Sequence, residues 1–509
     1  MEESMEDKSI AIIGAGFAGL SAGIYAQMNG YQSQIYEMGD LPGGLCTAWK
    51  RKGYTIDGCI HWLVGSSPNS GMYRFWQEVG VAQGRQFVNA EQFVRAEGPD
   101  GRVFTVYCDV DKLEKHMLEL SPQDADLTRQ FIQGVRLGIT FDQAQPTTSD
   151  SVLQRTLKGL KFGLLMASKG KMMQDLMRTT TLDFTNRFKD PLIRRTLQEM
   201  WLPEFSIFFV LFTLAYLNNQ NAGYPIGGSL PMSLAMEKRY KSLGGQVHYR
   251  SKVEKIVVEN DRAVGIRLVD GSEVRAGRVI SAADGHTTIF KMLDGKYADE
   301  KVREPYEKWP IFPPLLFVGL GVNRRFDDVP QTVSGMSYML RQPTEIADAV
   351  RDSMPVHIFN QDPTLAPEGK TSVVVMLPSK YDYWKALAED KASYEEKKDQ
   401  VARTIVTLLE QRFPGIGEQV EMVDVATPLT FERYTGNWQG TFEGWLITPQ
   451  NAHMVMKPMS QTLPGLENFY QCGQWVEPGG GLPTGVMSGR RLVQALCKAD
   501  GAKFTTSVG

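Results

Sequence analysis

Two groups of glycines in this chain could grip an anionic or electron-rich ligand on bare backbone N–H groups. The first is Gly14-Ala15-Gly16-Phe17-Ala18-Gly19, between the apolar run "SIAII" and a helical pattern. In a G-x-G-x-x-G turn the first glycine permits the tight reversal and the second lets backbone approach a pyrophosphate. The third lets helix and strand pack closely. Glu37 ends the next strand pattern, where a carboxylate can accept hydrogen bonds from a ribose diol. Dinucleotide binding follows, although this motif alone does not choose between FAD and NAD. The second group is "PGGGLPTG", Pro478–Gly485, between the strand pattern "FYQCG" and a C-terminal helical pattern. Gly43-Gly44, soon after Glu37, adds a further bare stretch near the pyrophosphate.

A plain NAD unit has no use for these extra glycines, whereas a bulky flavin ring is gripped by segments remote in sequence. The last helix would then bring its positive end to the flavin pyrimidine ring and stabilise negative charge there on reduction. A flavin carries out most of its own chemistry, so few catalytic side chains are required. His61, in a segment expected to run from pyrophosphate to ring, could deliver or remove a proton, or else satisfy a buried backbone group. Glu477 could serve the same purpose, or be a solvated loop residue. Trp475 could stack near the ring, or simply pack.

These residues need a scaffold assembled from distant parts of the chain. At 509 residues more than one lobe is expected. The patterns divide it into flavin-binding parts at 1–85, 218–300 and 451–509, a helical substrate lid at 86–217 and a substrate lobe at 301–450. The fold class is α/β, a Rossmann-type lobe interleaved with a mixed α+β lobe and a helical insertion. Within it, "QAQPTTSD" reads as a loop, and Glu259-Asn260-Asp261 and Asp270-Gly271 as turns.

The net charge of −3 argues against nucleic acid as a partner. Five scattered cysteines without C-x-x-C spacing predict no metal and reduced thiols. The start "MEESMEDKSI" lacks the features of a secretory signal, so a cytoplasmic location is expected.

Three blocks carry a resemblance: "PGGLCTAWKRKGYTIDGCIHWLVG", the middle stretch from "GGSLPMSLAMEKRYKSLGGQV" to "VISAAD", and "PGLENFYQCGQWVEPGGGLPTGVMSGRRL". Together they resemble the phytoene desaturase, carotenoid isomerase and retinol saturase family of flavoproteins. The resemblance implies a non-covalent FAD, a two-lobed fold related to amine oxidases, and chemistry on carbon–carbon bonds of isoprenoid lipids. It implies that Gly14, Gly16, Phe17, Ala18, Gly19, Glu37, Gly43, Gly44 and Leu45 hold the adenosine and pyrophosphate half. Val253 would meet the adenine through its backbone. Gly473, Gly480, Gly481, Leu482, Pro483 and Thr484 would lie along the ring. The "DGCIHW" segment is similar to the saturase style, though its glycine stands one position earlier, and it tilts the reading toward reduction.

A lipid substrate has independent support. The stretch "VLQRTLKGLKFGLLMASKGKMMQDLMR" sets six basic residues and one acid among leucines and methionines, as a helix on the inner face of a membrane would. An ordinary amphipathic helix has the same pattern. "FSIFFVLFTLAYL" is apolar nearly all round and should be buried or line a cavity. Saturation, desaturation and isomerisation of a polyene all remain open. So do a flavin amine oxidase, whose aromatic cage has no visible counterpart in the sequence, and a prenyl-binding escort protein. The oligomeric state has no signature in the sequence.

Overall fold

The computed structural model describes residues 8–508 apart from 146, 148, 149 and 456. The acidic N-terminal stretch up to residue 7 and part of the loop expected at 143–150 lie outside the described residues.

Strand β1 (Ser9–Ile13) has its last four residues buried, as a strand covered on both faces requires. Gly14 turns the chain into α1 (Phe17–Met28), which returns to β2 (Gln32–Tyr36). A hairpin of β3 (Ala48–Arg51) and β4 (Tyr54–Asp57) follows. The helical stretch includes α2 (Val152–Met177) and α3 (Ile207–Asn218). Helix α4 (Ser229–Ser242), strand β5 (Arg278–Ser281) and helix α5 (Gly481–Ala499) complete the elements around the site.

A parallel sheet runs in the order Gln246–His248, β2, β1, β5, Phe469–Gln471. Its strands come from three distant parts of the chain. The second lobe is built on seven strands, ordered Val420–Ala426, Leu315–Val322, Thr371–Pro378, Ala349–Ile358, Met336–Ile346, Gln92–Glu97 and Val103–Tyr107. The last two fall in the segment expected as a helical lid. Met336–Tyr338 pairs in parallel with Arg95–Glu97 and draws them into this sheet. Such short strands ahead of long helices carry little pattern of their own. The turns expected at 259–261 and 270–271 are present, with Asn260, Asp261 and Gly271 at positive φ.

The β3–β4 hairpin lies against the larger sheet and joins the lobes. A Cβ on Gly319 would come within 2.8 Å of Ile56, and one on Gly321 would overlap the Tyr54 ring. Glycine at both positions lets the hairpin settle on the strand. Trp49 Nε1 donates to Asp424 Oδ2 at 2.7 Å, and Tyr54 Oη to Glu421 Oε2 at 2.7 Å.

Helix α2 starts at a capping box between Ser151 and Gln154. Its inner edge places Phe162, Leu165, Met166, Met173 and Met177 on a cluster with Phe205, Phe208, Phe312, Leu446 and Ile447. Its outer edge leaves Leu153, Leu157, Leu160 and Leu164 between 57% and 72% exposed. Among the described residues no helix is long and apolar enough to cross a membrane.

Candidate active site

The nucleotide end of the site is made mostly of backbone. Gly14 has φ +96°, and its N–H donates to the Tyr36 carbonyl at 2.8 Å. A Cβ on Gly19 would overlap the Gly14 carbonyl oxygen, so the third glycine of the motif is sterically required. Gly16 is the N-cap of α1, with no side-chain cap and no acid in the first turn. The free N–H groups there suit a phosphate. Phe17 and Ala18 have buried side chains, so only their backbone could reach such a ligand.

Glu37 Oε2 accepts from the Ala15 N–H at 2.7 Å and Oε1 from the Gly39 N–H at 2.7 Å. These bonds fix the carboxylate at the tip of β2 and leave lone pairs for a diol. The Gly43 N–H donates to the Ala15 carbonyl at 2.9 Å and lays the second glycine pair along the first. Gly44 at φ +60° would meet only the Gly16 Cα with a Cβ, at 3.6 Å. Leu45 turns into the core. Val253 is also a core residue, packed with Ile13 and Tyr36, and offers only its backbone to an adenine.

The two glycine junctions meet where α5 crosses α1. A Cβ on Gly489 would stand 2.6 Å from the Ala22 nitrogen and 2.8 Å from the Ala18 oxygen. Ser21 Oγ donates to the Val486 carbonyl at 2.7 Å, and the Gly473 N–H to Ser488 Oγ at 2.9 Å. Gly480 at φ +69° and Gly481 at φ +79° begin α5. Thr484 Oγ1 bonds back to the Gly480 carbonyl at 2.9 Å, and Leu482 and Pro483 complete the first turn. A Cβ on Gly479 would meet nothing within 4 Å. This glycine-lined space fits an FAD, whose phosphates would be held at the start of α1 and whose ring would be held toward α5.

The side chains at the ring end come from four places. Asp57, at the end of β4, accepts from the Cys59 and Ile60 N–H groups at 3.0 and 3.1 Å. It also accepts from the Ser229 N–H and Oγ, both at 2.6 Å. Burial raises its pKa while these bonds pull the other way. They pin the turn that carries His61 to the start of α4. Burial lowers the His61 pKa to about 4, which leaves a neutral imidazole. Its ring lies 4.5 Å from that of His357, centroid to centroid.

Glu477 pairs with Arg491 of α5 at 3.0 Å, while burial raises its pKa. Trp475 packs against Trp445 at 5.0 Å and Tyr306 at 5.9 Å, as part of an aromatic cluster with Trp438. Trp445 and Trp475 are buried in that cluster rather than left as an open cage.

Two residues at this end were not singled out by sequence reasoning, Glu443 and His357. The Glu443 carboxylate fills the space that a Cβ on Gly480 would need, and the backbone at Gly481 bears on it. Burial raises its pKa to about 7 against the pull of the Gly481 backbone, so it can hold or release a proton near neutrality. The Cys59 thiol, close to Cys46, also feels this carboxyl. The only local sign of Glu443 was a pair of flanking glycines, Gly440 and Gly444, both at positive φ. His357 reads as an ordinary strand residue.

The description "Flavin containing amine oxidoreductase" belongs to the family that matches residues 17–497. The neurosporene-forming phytoene desaturase of Rhodobacter capsulatus is 26% identical, over 95% of this chain and 93% of that protein. The chloroplastic prolycopene isomerase of Daucus carota is 25% identical, over 95% of this chain and 80% of its own length. A putrescine oxidase redesigned at its cofactor site superposes with a TM-score of 0.61 at 15% identity, covering 96% and 99% of the two chains. An oxidoreductase from Methanosarcina mazei does so with a TM-score of 0.58 at 18% identity, covering 96% and 100%. The chain belongs to the flavin-containing amine oxidoreductase family and is an FAD-dependent oxidoreductase.

Proposed function

We propose that the protein moves a hydride between its non-covalent FAD and a carbon–carbon bond of a lipophilic polyene or isoprenoid. The proposed direction is saturation, ahead of desaturation or isomerisation. One observation carries the substrate class: the side chains packed beside Glu443 are apolar and aromatic. Phe442 lies 6.0 Å from Phe312 and joins the cluster of Phe205, Phe208, Leu446 and Ile447 beneath α2. The relatives named as phytoene desaturase and prolycopene isomerase support the same class. The lean toward saturation rests on the resemblance of the "IHW" segment alone.

Bound FAD supplies the hydride chemistry. The chain orients the substrate, excludes water and manages protons. Glu443 is the proposed proton-exchanging group, because its carboxyl changes charge near neutral pH. His61 enters as a neutral hydrogen-bonding group rather than as an acid, because burial keeps its imidazole unprotonated. Glu477 is proposed to steady the flavin end of α5 through Arg491. The leucine edge of α2, with Lys161, Lys169 and Lys171 exposed beside it, supports uptake of substrate from an anionic membrane surface on the cytoplasmic side.

The test is an anaerobic absorption spectrum of the purified holoenzyme, followed by dithionite reduction and addition of a polyene such as all-trans-retinol. Return of the oxidised flavin band is expected, with a saturated product. A flavin that stays reduced with every polyene tried would overturn the saturase reading. Denaturation should release the FAD into solution, and retention on the protein would overturn non-covalent binding.

A further inference from the structure

His357, from the strand Ala349–Ile358, is 3% exposed, and neither of its ring nitrogens has a hydrogen-bond partner. Nδ1 of His61 has none either. The two rings meet edge to face at 4.5 Å with planes at 85°. The backbone at Val333 bears on His61 and that at Ser334 on His357, in neither case with the alignment of a hydrogen bond to these three nitrogens. Phe359 lies 4.1 Å from His357, and Trp62 lies 6.3 Å from His61. Buried polar atoms are nearly always bonded, so three bare nitrogens in one pair call for a missing partner.

The place of the pair suggests what that partner is. His61 directly follows Ile60, whose N–H donates to Ser229 Oγ at 2.9 Å. The Ser229 carbonyl accepts from Cys46 Sγ at 3.7 Å, and the Cys46 N–H donates to the Gly43 carbonyl at 3.0 Å, while the neighbouring Cys59 thiol feels Glu443. The pair therefore stands beside the ring end of the site, among apolar and aromatic side chains. Burial keeps both imidazoles neutral. Each neutral ring offers one donor and one acceptor. A hydroxyl matches two such rings, accepting from one and donating to the other. A carboxylate can only accept, and two neutral rings do not neutralise it. A hydrocarbon would leave the nitrogens dry.

We propose that His61 and His357 receive a hydroxyl of the substrate, so that the site selects an oxygenated polyene over the hydrocarbon of the same skeleton. This rests on the polyene reading above. It separates this chain from the relatives named for phytoene and prolycopene, both hydrocarbons.

The test compares binding to the oxidised holoenzyme in one detergent, read as perturbation of the flavin band. Two matched pairs are used, β-carotene with β-cryptoxanthin and axerophthene with all-trans-retinol, with all-trans-retinoic acid as the anionic member. In at least one pair the alcohol should bind about 100-fold more tightly than its hydrocarbon, a moderate value for a site that bonds a hydroxyl. Retinoic acid should gain nothing over axerophthene. His357→Phe should remove most of the preference without weakening the hydrocarbon, and His357→Asn should restore part of it. Equal affinities within both pairs in the unaltered protein would overturn the inference, whether or not the variants fold. A preference that survives in His357→Phe would also overturn it. If no member of either pair perturbs the flavin, the polyene reading itself fails and the inference falls with it.

Discussion

The nucleotide end and the ring end of the site use opposite materials. At the nucleotide end the shape comes from glycine backbone, and Glu37 is held by two N–H groups. At the ring end the shape comes from buried and half-buried side chains with unmet or shifted demands. The nitrogens of His357 are bare, and the Glu443 carboxyl sits near neutrality. The first end binds a constant ligand and can be rigid. In the proposed function the second accepts a substrate and a change of charge, which is why some of its polar groups lack protein partners.

The largest effect should come from breaking the rigid end. Gly19→Val puts atoms where the Gly14 carbonyl oxygen lies. FAD content after purification, read from the flavin-to-protein absorbance ratio, should fall to near zero. A yellow, fully loaded variant would mean that the turn has more slack than its geometry allows.

Next comes Asp57→Ala, at the hinge between the two ends. It strips the half-buried Cys59 and the buried Ser229 N–H groups of a partner, at about 2–5 kcal/mol together. A clear fall in denaturation midpoint is expected, along with disturbed binding at His61.

The ring end should reveal itself in pH dependence. Glu443 has a raised pKa when folded, so its stabilising protonation is complete below the unfolded value near 4.5 and is lost as pH rises to about 7. Up to about 3 kcal/mol would disappear over that span for an isolated group. His61 has a lowered pKa, so its contribution is complete above about 6.5 and is lost as pH falls toward about 4. His357 acts in the same sense. Thermal melts of Glu443→Gln should lose the alkaline-side decline and keep the acid-side one. A Glu443→Gln profile that parallels the unaltered protein would remove Glu443 from the proton-exchanging role.

The smallest change in stability should lie far from both ends. Leu160→Ser with Leu164→Ser alters exposed positions and should shift stability by less than about 0.5 kcal/mol. Sedimentation with anionic vesicles should nevertheless weaken. Unchanged vesicle binding would leave the outer edge of α2 without the proposed partner.

The strand–turn–helix geometry around the first glycine group was legible in the chain because its demands are local. Gly14, Gly16, Gly19 and Glu37 lie within one strand–helix–strand unit, and sterics at fixed spacing select their types. The apolar character of α3 and the turns at 259–261 and 270–271 were legible for the same reason. The strands at 92–107 were not, because their partner is Met336–Ile346, far along the chain. Glu443 and His357 were hidden more deeply. A glutamate between two glycines and a histidine in a strand mean little alone, and their chemistry arises from what is packed around them.

The amino-acid sequence by itself determined the glycine turn at the start of α1, the family resemblance and the presence of a second glycine junction. Only the tertiary structure decided that Gly480 must be bare to admit the Glu443 carboxylate, and that His61 meets His357. The physical reason is that glycine geometry acts over a few bonds, whereas burial and unmet hydrogen bonds belong to the assembled lobes.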